Sequence, residues 1–348
     1  MNVMMEKIKK NSSIKDSAIL SKSKFFNAKD MIQTSVPMVN VALSGKLDGG
    51  LTPGLTMWAG PSKNFKTAFS LLLAKAYMDK YEDAVMLFYD SEFGTPQSYF
   101  NSFDIDTERV LHTPLTDIEQ LKFDIMGQIS NVTRGDHLII VVDSIGNLAS
   151  KKEIEDALEG KSVGDMTRAK QIKSLFRMVT PHLNLKDIPM VVVNHTYKTM
   201  EMFSRDVVGG GTGSYYSADN IFIVGRQQEK DGKEVTGYDF IINVEKSRYV
   251  REKSKIAIAV SFDRGISKWS GLLDNALESG HVLKPKNGVY CKVDLSTGEM
   301  LDPPYKEAET NCAEFWDSIL ADKAFQEFIE NKYSVSSGSI MQYQEVEE

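Results

Sequence analysis

The chain has 348 residues, 42% of them hydrophobic and 26% charged, with a formal net charge of −7; this balance supplies one large or two medium cores and excludes a disordered chain. Uninterrupted apolar runs such as Leu138 to Val142 are about five residues long against the ~20 a membrane helix needs, and the basic amino terminus has no apolar block behind it, so neither a spanning helix nor a secretory leader is expected. Cys291 and Cys312 lack metal-ligand spacing and read as free thiols, which sets aside zinc and disulfide scaffolds.

The charge is uneven. Residues 1–30 carry seven lysines against three acids (+4), and residues 299–348 carry three lysines against twelve acids (−9), which leaves −2 for residues 31–298. Two readings stay open for these ends: solvated surface, or a basic arm and an acidic tail that compete for a polyanion.

From about residue 54, apolar runs alternate with amphipathic stretches, the signature of parallel strands joined by helices. The first strand is expected at 55–59 (LTMWA), followed by a helix with Phe69, Leu72, Leu73 and Ala76 on its packed face. The second is expected at 84–90 (AVMLFYD). Thr116 followed by Glu119 reads as a capping box that opens a helix with Ile118, Leu121, Ile125, Ile129 and Val132 inward. Strand 138–143 (LIIVVD) leads to a helix from near Asp165, with Ile172, Leu175, Phe176 and Val179 inward and Arg168, Lys170, Lys173 and Arg177 outward. Strands 190–194 (MVVVN) and 220–225 (NIFIVG) follow, and the closely spaced runs 238–245 and 255–262 predict an antiparallel extension. The expected fold is α/β, a mostly parallel central sheet flanked by helices, with residues 265–348 as a smaller appended domain.

Between the first strand and its helix lies Gly60-Pro61-Ser62-Lys63-Asn64-Phe65-Lys66-Thr67, where a loop that cradles nucleotide phosphates belongs. In that role backbone N–H groups wrap the phosphates, Lys66 reaches the terminal ones and the Thr67 hydroxyl ligates Mg²⁺. Phe65 stands where the usual motif has glycine, so a plain tight turn remains the alternative. Asp143, at the end of LIIVVD, is placed to hold Mg²⁺ through water. Glu92, after FYDS, is placed to activate an attacking water. All these residues fall at one edge of one sheet, a combination that points to nucleotide hydrolysis.

The segments GPSKNFKT, LFYDSEFG (87–94), VVDSIGNLASKKE (141–153), DMTRAKQIKSLFRMVTP (165–181), VVNHT (192–196), GGGTG (209–213) and NVEKSR (243–248) resemble the RecA-type strand-exchange recombinases, in particular the branch carried by T-even-like bacteriophages. The resemblance covers roughly residues 22–332, and that branch accepts a bulky residue before the loop lysine. It implies a RecA-type P-loop ATPase core over 31–264 with an N-terminal protomer-docking arm (1–30) and a small C-terminal domain with an acidic tail (265–348). It further implies an ATP- and Mg²⁺-dependent filament on single-stranded DNA that pairs with homologous double-stranded DNA. Strand exchange would serve recombination, repair and recombination-dependent replication in the host cytoplasm, with no membrane partner. A phage single-stranded-DNA-binding protein and a recombination mediator are implied as partners.

By the same resemblance Glu92 is the water-activating carboxylate and Tyr99 packs near adenine. His195 takes the place of a terminal-phosphate sensor that relays to the DNA loops, and its charge can vary near neutral pH. Lys246 and Arg248 reach the nucleotide of the adjacent protomer. Phe25 and Phe26 anchor the docking arm. Two segments are expected to line DNA: roughly 153–168, with Met166 and Arg168, and 196–213. The second mixes Lys198 and Arg205 with Met200, Met202 and Phe203, then Gly209, Gly210 and Gly211 for close backbone approach. Two other readings share the ATPase residues, a ring-forming helicase and a non-catalytic DNA-coating or loader protein.

Overall fold

The computed structural model describes residues 3–14, 16–23, 30–161, 166–199, 206–232, 234–301 and 303–335. Helix α1 (Val3–Asn11) is exposed along its length, and α2 (Pro37–Ser44) is buried along nearly all of its own. Then follow β1 (Gly54–Ala59), α3 (Lys66–Lys80), β2 (Val85–Asp90), α4 (Gln97–Asn101), β3 (Val110–Pro114), α5 (Ile118–Asn131), β4 (Leu138–Asp143), α6 (Lys151–Leu158), α7 (Thr167–Lys186) and β5 (Pro189–Asn194). A short ribbon of β6 (Thr196–Lys198) and β7 (Asp206–Val208) leads into α8 (Thr212–Ser217), β8 (Asn220–Asp231), β9 (Glu234–Ser247), β10 (Lys255–Ser261) and β11 (Gly265–Ile266). The carboxyl-terminal part holds α9 (Leu272–Glu278), β12 (Val282–Lys286), β13 (Val289–Asp294), β14 (Glu299–Met300), β15 (Tyr305–Lys306), α10 (Ala313–Ala321) and α11 (Lys323–Tyr333).

Among the described residues nine strands make one sheet, in the order β11-β10-β9-β8-β1-β5-β4-β2-β3. The six strands from β8 to β3 are parallel, and β9, β10 and β11 extend it antiparallel. Both features follow the sequence expectation. Strand β3 was not foreseen, because a half-exposed outer strand (RVLHTP) carries no continuous apolar run.

Alternation along β1 sends Leu55 and Met57 to one face and Trp58 to the other. The first face packs on α5 and α7 through Leu121, Ile125, Phe176 and Val179. The second packs on α2 and α3, where Trp58 stacks on Phe69 at 5.0 Å and Phe222 lies at 4.6 Å. Phe315, Trp316, Phe325 and Ile329 of the carboxyl-terminal helices join this same core. Their burial, at roughly 2 kcal/mol per large side chain, ties that region to the sheet. Tyr333 donates to Asn275 at 3.1 Å, and the Val335 N–H donates to the Tyr249 carbonyl at 2.8 Å.

Two local expectations are corrected. Helix α5 is capped by Asp117, whose carboxylate accepts the Gln120 N–H at 2.8 Å, and the Thr116 capping box does not form because Thr116 instead meets the Gln120 side chain at 3.3 Å and 3.4 Å. Val132 is the residue after that helix, not part of it. Cys291 and Cys312 are free, as expected, and among the described residues no helix is long and apolar enough to cross a membrane.

The register sets up the site. Asp90 lies opposite Asp143, and Ala59 opposite Asn194, so the loops after β1, β2, β4 and β5 emerge together at the carboxyl edge of the sheet.

Candidate active site

The loop after β1 turns tightly against β8. A Cβ on Gly60 would stand 2.8 Å from the Val224 carbonyl, the same carbonyl to which Asn64 Nδ2 donates at 2.6 Å. Lys63 and Phe65 both take left-handed backbone, φ 64° and 61°, a conformation that costs a residue with a side chain about 1–2 kcal/mol. The Phe65 ring stacks on Phe240 at 4.7 Å and meets Phe69 edge-on at 5.5 Å, and such aromatic packing offsets the backbone cost. This accounts for the departure from the usual glycine. The aromatic platform on β9 rewards a ring at that position.

Helix α3 begins at Lys66, so its unpaired N–H groups face the loop. Lys66 is buried, and Nζ donates to the Pro61 carbonyl at 2.7 Å. Burial pulls its pKa down, opposed by Glu92 and Asp143. Thr67 Oγ1 donates to Asp143 Oδ2 at 2.6 Å, while Asp143 Oδ1 is buried without a partner. Burial pushes the Asp143 carboxyl up to about 6. A buried carboxylate with an orphaned oxygen beside a threonine hydroxyl fits a Mg²⁺ held by Thr67 directly and by Asp143 through water. Among the described residues no group of three or more acids, histidines or cysteines forms a cage.

Glu92 faces the same cleft, with Tyr99, Thr95 and Gly94 along its wall. Tyr99 is half-buried, and desolvation raises its hydroxyl pKa. Glu92 Oε1 accepts from Ser144 Oγ at 2.6 Å and from His195 Nε2 at 2.9 Å. The bond from His195 lowers the Glu92 pKa, with Ser144 adding to it against desolvation, so the carboxylate is ionised at neutral pH. Sequence reasoning passed over Ser144 and its partner Ser91, which exchange bonds of 2.6 Å and 3.1 Å. The signal was present: both strands end in Asp-Ser, and the two aspartates pair in register.

His195 also connects the cleft to the glycine-rich segment. Its carbonyl accepts the Gly209 N–H at 2.9 Å, and Asn194 Nδ2 donates to the Gly209 carbonyl at 2.9 Å. Gly146 leaves room for the ring, since a Cβ there would lie 2.4 Å from His195 Cδ2. Lys198 pairs with Asp206 at 3.1 Å across the ribbon of β6 and β7. Met200, Met202, Phe203 and Arg205 lie outside the described residues, as do Asp165 and Phe25 and Phe26. The close approach that Gly210 permits is to α7, where its Cβ would meet Ile172 at 2.9 Å; Gly211 adjoins Ala169.

Arg168, Lys246 and Arg248 each have oxygen partners within the chain. Arg168, expected at DNA, donates to the carbonyls of Ile145, Gly146 and Leu148 at 2.7–3.1 Å and so stitches α7 to the turn after β4. Met166 beside it is exposed. Lys246 and Arg248 are absent from the cleft. They lie at the opposite edge of the sheet, Lys246 facing Ile221 at the start of β8, where Lys246 Nζ donates to the Tyr215 carbonyl at 2.6 Å and Arg248 pairs with buried Asp219.

A phosphate loop after the first parallel strand, a strand-end Asp with the loop threonine, and a hydrogen-bonded Glu on the neighbouring strand define a P-loop ATPase core of the RecA kind. The RecA N-terminal domain family matches residues 1–267, and the family described as Bacteriophage T4, Recombination and repair protein, C-terminal domain matches residues 269–329. The chain is similar to the Recombination and repair protein of Enterobacteria phage T4, 50% identical over 97% of this chain and 87% of that one. It is also similar to Protein RecA of Cutibacterium acnes (26% identical, 72% of this chain and 71% of that one) and of Bacteroides thetaiotaomicron (26%, 86% and 88%). The chain belongs to the RecA family, in the branch of the phage T4 recombination and repair protein.

Proposed function

We propose that the protein is an ATP-dependent DNA recombinase that forms filaments on single-stranded DNA and carries out homologous pairing and strand exchange in recombination, repair and recombination-dependent replication. The observation that carries this reading is the continuous hydrogen-bonded line from Glu92 through His195 and Asn194 to Gly209, which joins a hydrolytic cleft to a glycine-rich segment. An identity of 50% over 97% of the chain to a recombination and repair protein supports it.

In the proposed reaction, ATP lies on the loop 60–67 with Lys66 on the terminal phosphates. Thr67, and Asp143 through water, would hold Mg²⁺, which would supply charge neutralisation there. Glu92 takes the proton of the attacking water, and Tyr99 borders the base. His195 donates to Glu92 and adjoins Gly209, so DNA at that segment and nucleotide in the cleft act on one strand end. If DNA raises nucleotide affinity, nucleotide raises DNA affinity equally. Lys246 and Arg248 serve the next protomer's nucleotide, and Met166, Lys198, Met202, Phe203, Arg205 and the 209–211 glycines border DNA. Residues 1–30 act as the docking arm, 31–264 as the ATPase core and 265–348 as the small C-terminal domain. The protein works in the host cytoplasm, with a phage single-stranded-DNA-binding protein and a mediator as partners.

The test is joint-molecule formation between a labelled single strand and a homologous duplex, with ATP, with ADP, and with a heterologous duplex. Pairing that needs ATP and homology supports the recombinase; unwinding of forked DNA by rings, or coating of DNA without turnover, replaces it with a helicase or a loader.

A further inference from the structure

We propose that Asp90 and His112 are positioning residues for the Glu92 carboxylate, with His112 acting from the outermost strand of the sheet. The inference rests on the reading of Glu92 as the base. Asp90 ends β2 and is 3% exposed. Its Oδ1 accepts the N–H groups of Glu92 at 3.0 Å and Phe93 at 2.8 Å, which are the two bonds that fold the chain where Glu92 leaves the sheet. Phe93 takes left-handed backbone, φ 53°, uncommon for a bulky residue, and its side chain is 63% exposed. Unlike Phe65, it has no burial to offset that conformation, so the buried carboxylate of Asp90 is what holds the turn.

The other oxygen of Asp90 has a different partner. His112 Nε2 stands 3.2 Å from Asp90 Oδ2. His112 lies on β3, in register with Phe88 of β2, and β3 pairs on one side with β2 and forms the end of the sheet. The imidazole reaches inward to Asp90 while its side chain is 54% exposed. With Nε2 as donor it orients the carboxylate plane, and the carboxylate in turn sets the direction of the Glu92 main chain. The outer strand is thereby linked to the hydrolytic carboxylate by two hydrogen bonds that bypass the phosphate loop. Hydrolysis needs the base aligned with a bound water, and small misplacement of such a group lowers turnover more than binding.

The experiment compares full-length wild type, His112→Leu and His112→Gln for kcat and KM of ATP hydrolysis at saturating single-stranded DNA, with thermal unfolding midpoints on the same samples. His112→Leu should lower kcat roughly tenfold with KM changed by less than about twofold, and His112→Gln, whose amide can donate to Asp90, should recover most of kcat. A wild-type kcat in His112→Leu, or an equal loss in both variants, overturns the proposal. Phe93→Gly, which accepts left-handed backbone without restraint, should restore part of the loss in the His112→Leu background; no restoration, like a loss accompanied by a lowered midpoint, overturns it too. Glu92→Gln separates the two levels: if it still turns over, the base assignment fails, whereas an inactive Glu92→Gln beside a fully active His112→Leu removes the positioning role alone.

Discussion

The two edges of the large sheet are built on opposite chemical plans. At the carboxyl edge, Glu92, Asp143 and Lys66 converge, backbone at Lys63, Phe65 and Phe93 is left-handed, and Asp143 Oδ1 has no partner. At the amino edge, Lys246 and Arg248 rest on the Tyr215 carbonyl and on Asp219, whose Oδ2 accepts the Leu55 N–H at 3.0 Å. One edge leaves a buried carboxylate oxygen without a partner, and the other seats two cations on oxygen acceptors. The sheet separates them within one chain, so in the proposed filament the pair would serve the cleft of a neighbouring copy through a head-to-tail contact.

The largest effect that would break this comparison lies at Glu92. Glu92→Gln should lower DNA-stimulated turnover by about 10³-fold while nucleotide binding persists, measured by phosphate release and by nucleotide titration. Next comes complementation. Glu92→Gln and the double variant Lys246→Ala/Arg248→Ala should each be inactive, and an equimolar mixture should recover turnover at roughly a quarter of the contacts, where an intact cleft meets an intact pair. A mixture as inactive as its components would place the pair outside the reaction.

A smaller effect sharpens the account of the carboxyl edge. The Asp143 pKa is raised to about 6 from 3.8 by burial, so the folded protein binds more protons than the unfolded chain between those values and loses stability as pH rises through that window. Asp143→Asn should therefore stabilise the nucleotide-free protein by about 2 kcal/mol at pH 7.5 and by nothing near pH 3, seen in denaturant midpoints, while weakening Mg²⁺-dependent nucleotide binding. An effect of similar size concerns Phe65. Phe65→Ala keeps the left-handed backbone and loses the stack on Phe240, for about 2 kcal/mol of destabilisation; Phe65→Gly loses the stack but relaxes the backbone and should cost about 1 kcal/mol less.

Much of the site was legible in the sequence because it follows strand ends. Loop 60–67, Asp143, Glu92 and His195 each follow an apolar run, and parallel strands deliver such residues to one edge. Ser144 and Asp90 escaped notice because their importance lies in which oxygen they bond, which no spacing records. Arg168, a DNA contact by the family resemblance, bonds three carbonyls after β4, partners that no spacing along the chain records. Strand β3, with one side open, offered too few apolar residues to be seen.

By itself the sequence determined the class of the protein: alternating runs and amphipathic helices specify a wound parallel sheet, and the phosphate loop with two strand-end acids specifies nucleotide chemistry, because both depend on local order along the chain. Tertiary structure alone decided that Phe65 is tolerated through Phe240, that Glu92 is held by Ser144 and His195, and that Lys246 and Arg248 face away from their own cleft. Those outcomes depend on residues distant in sequence meeting across the sheet, where distances of a few ångströms choose each partner.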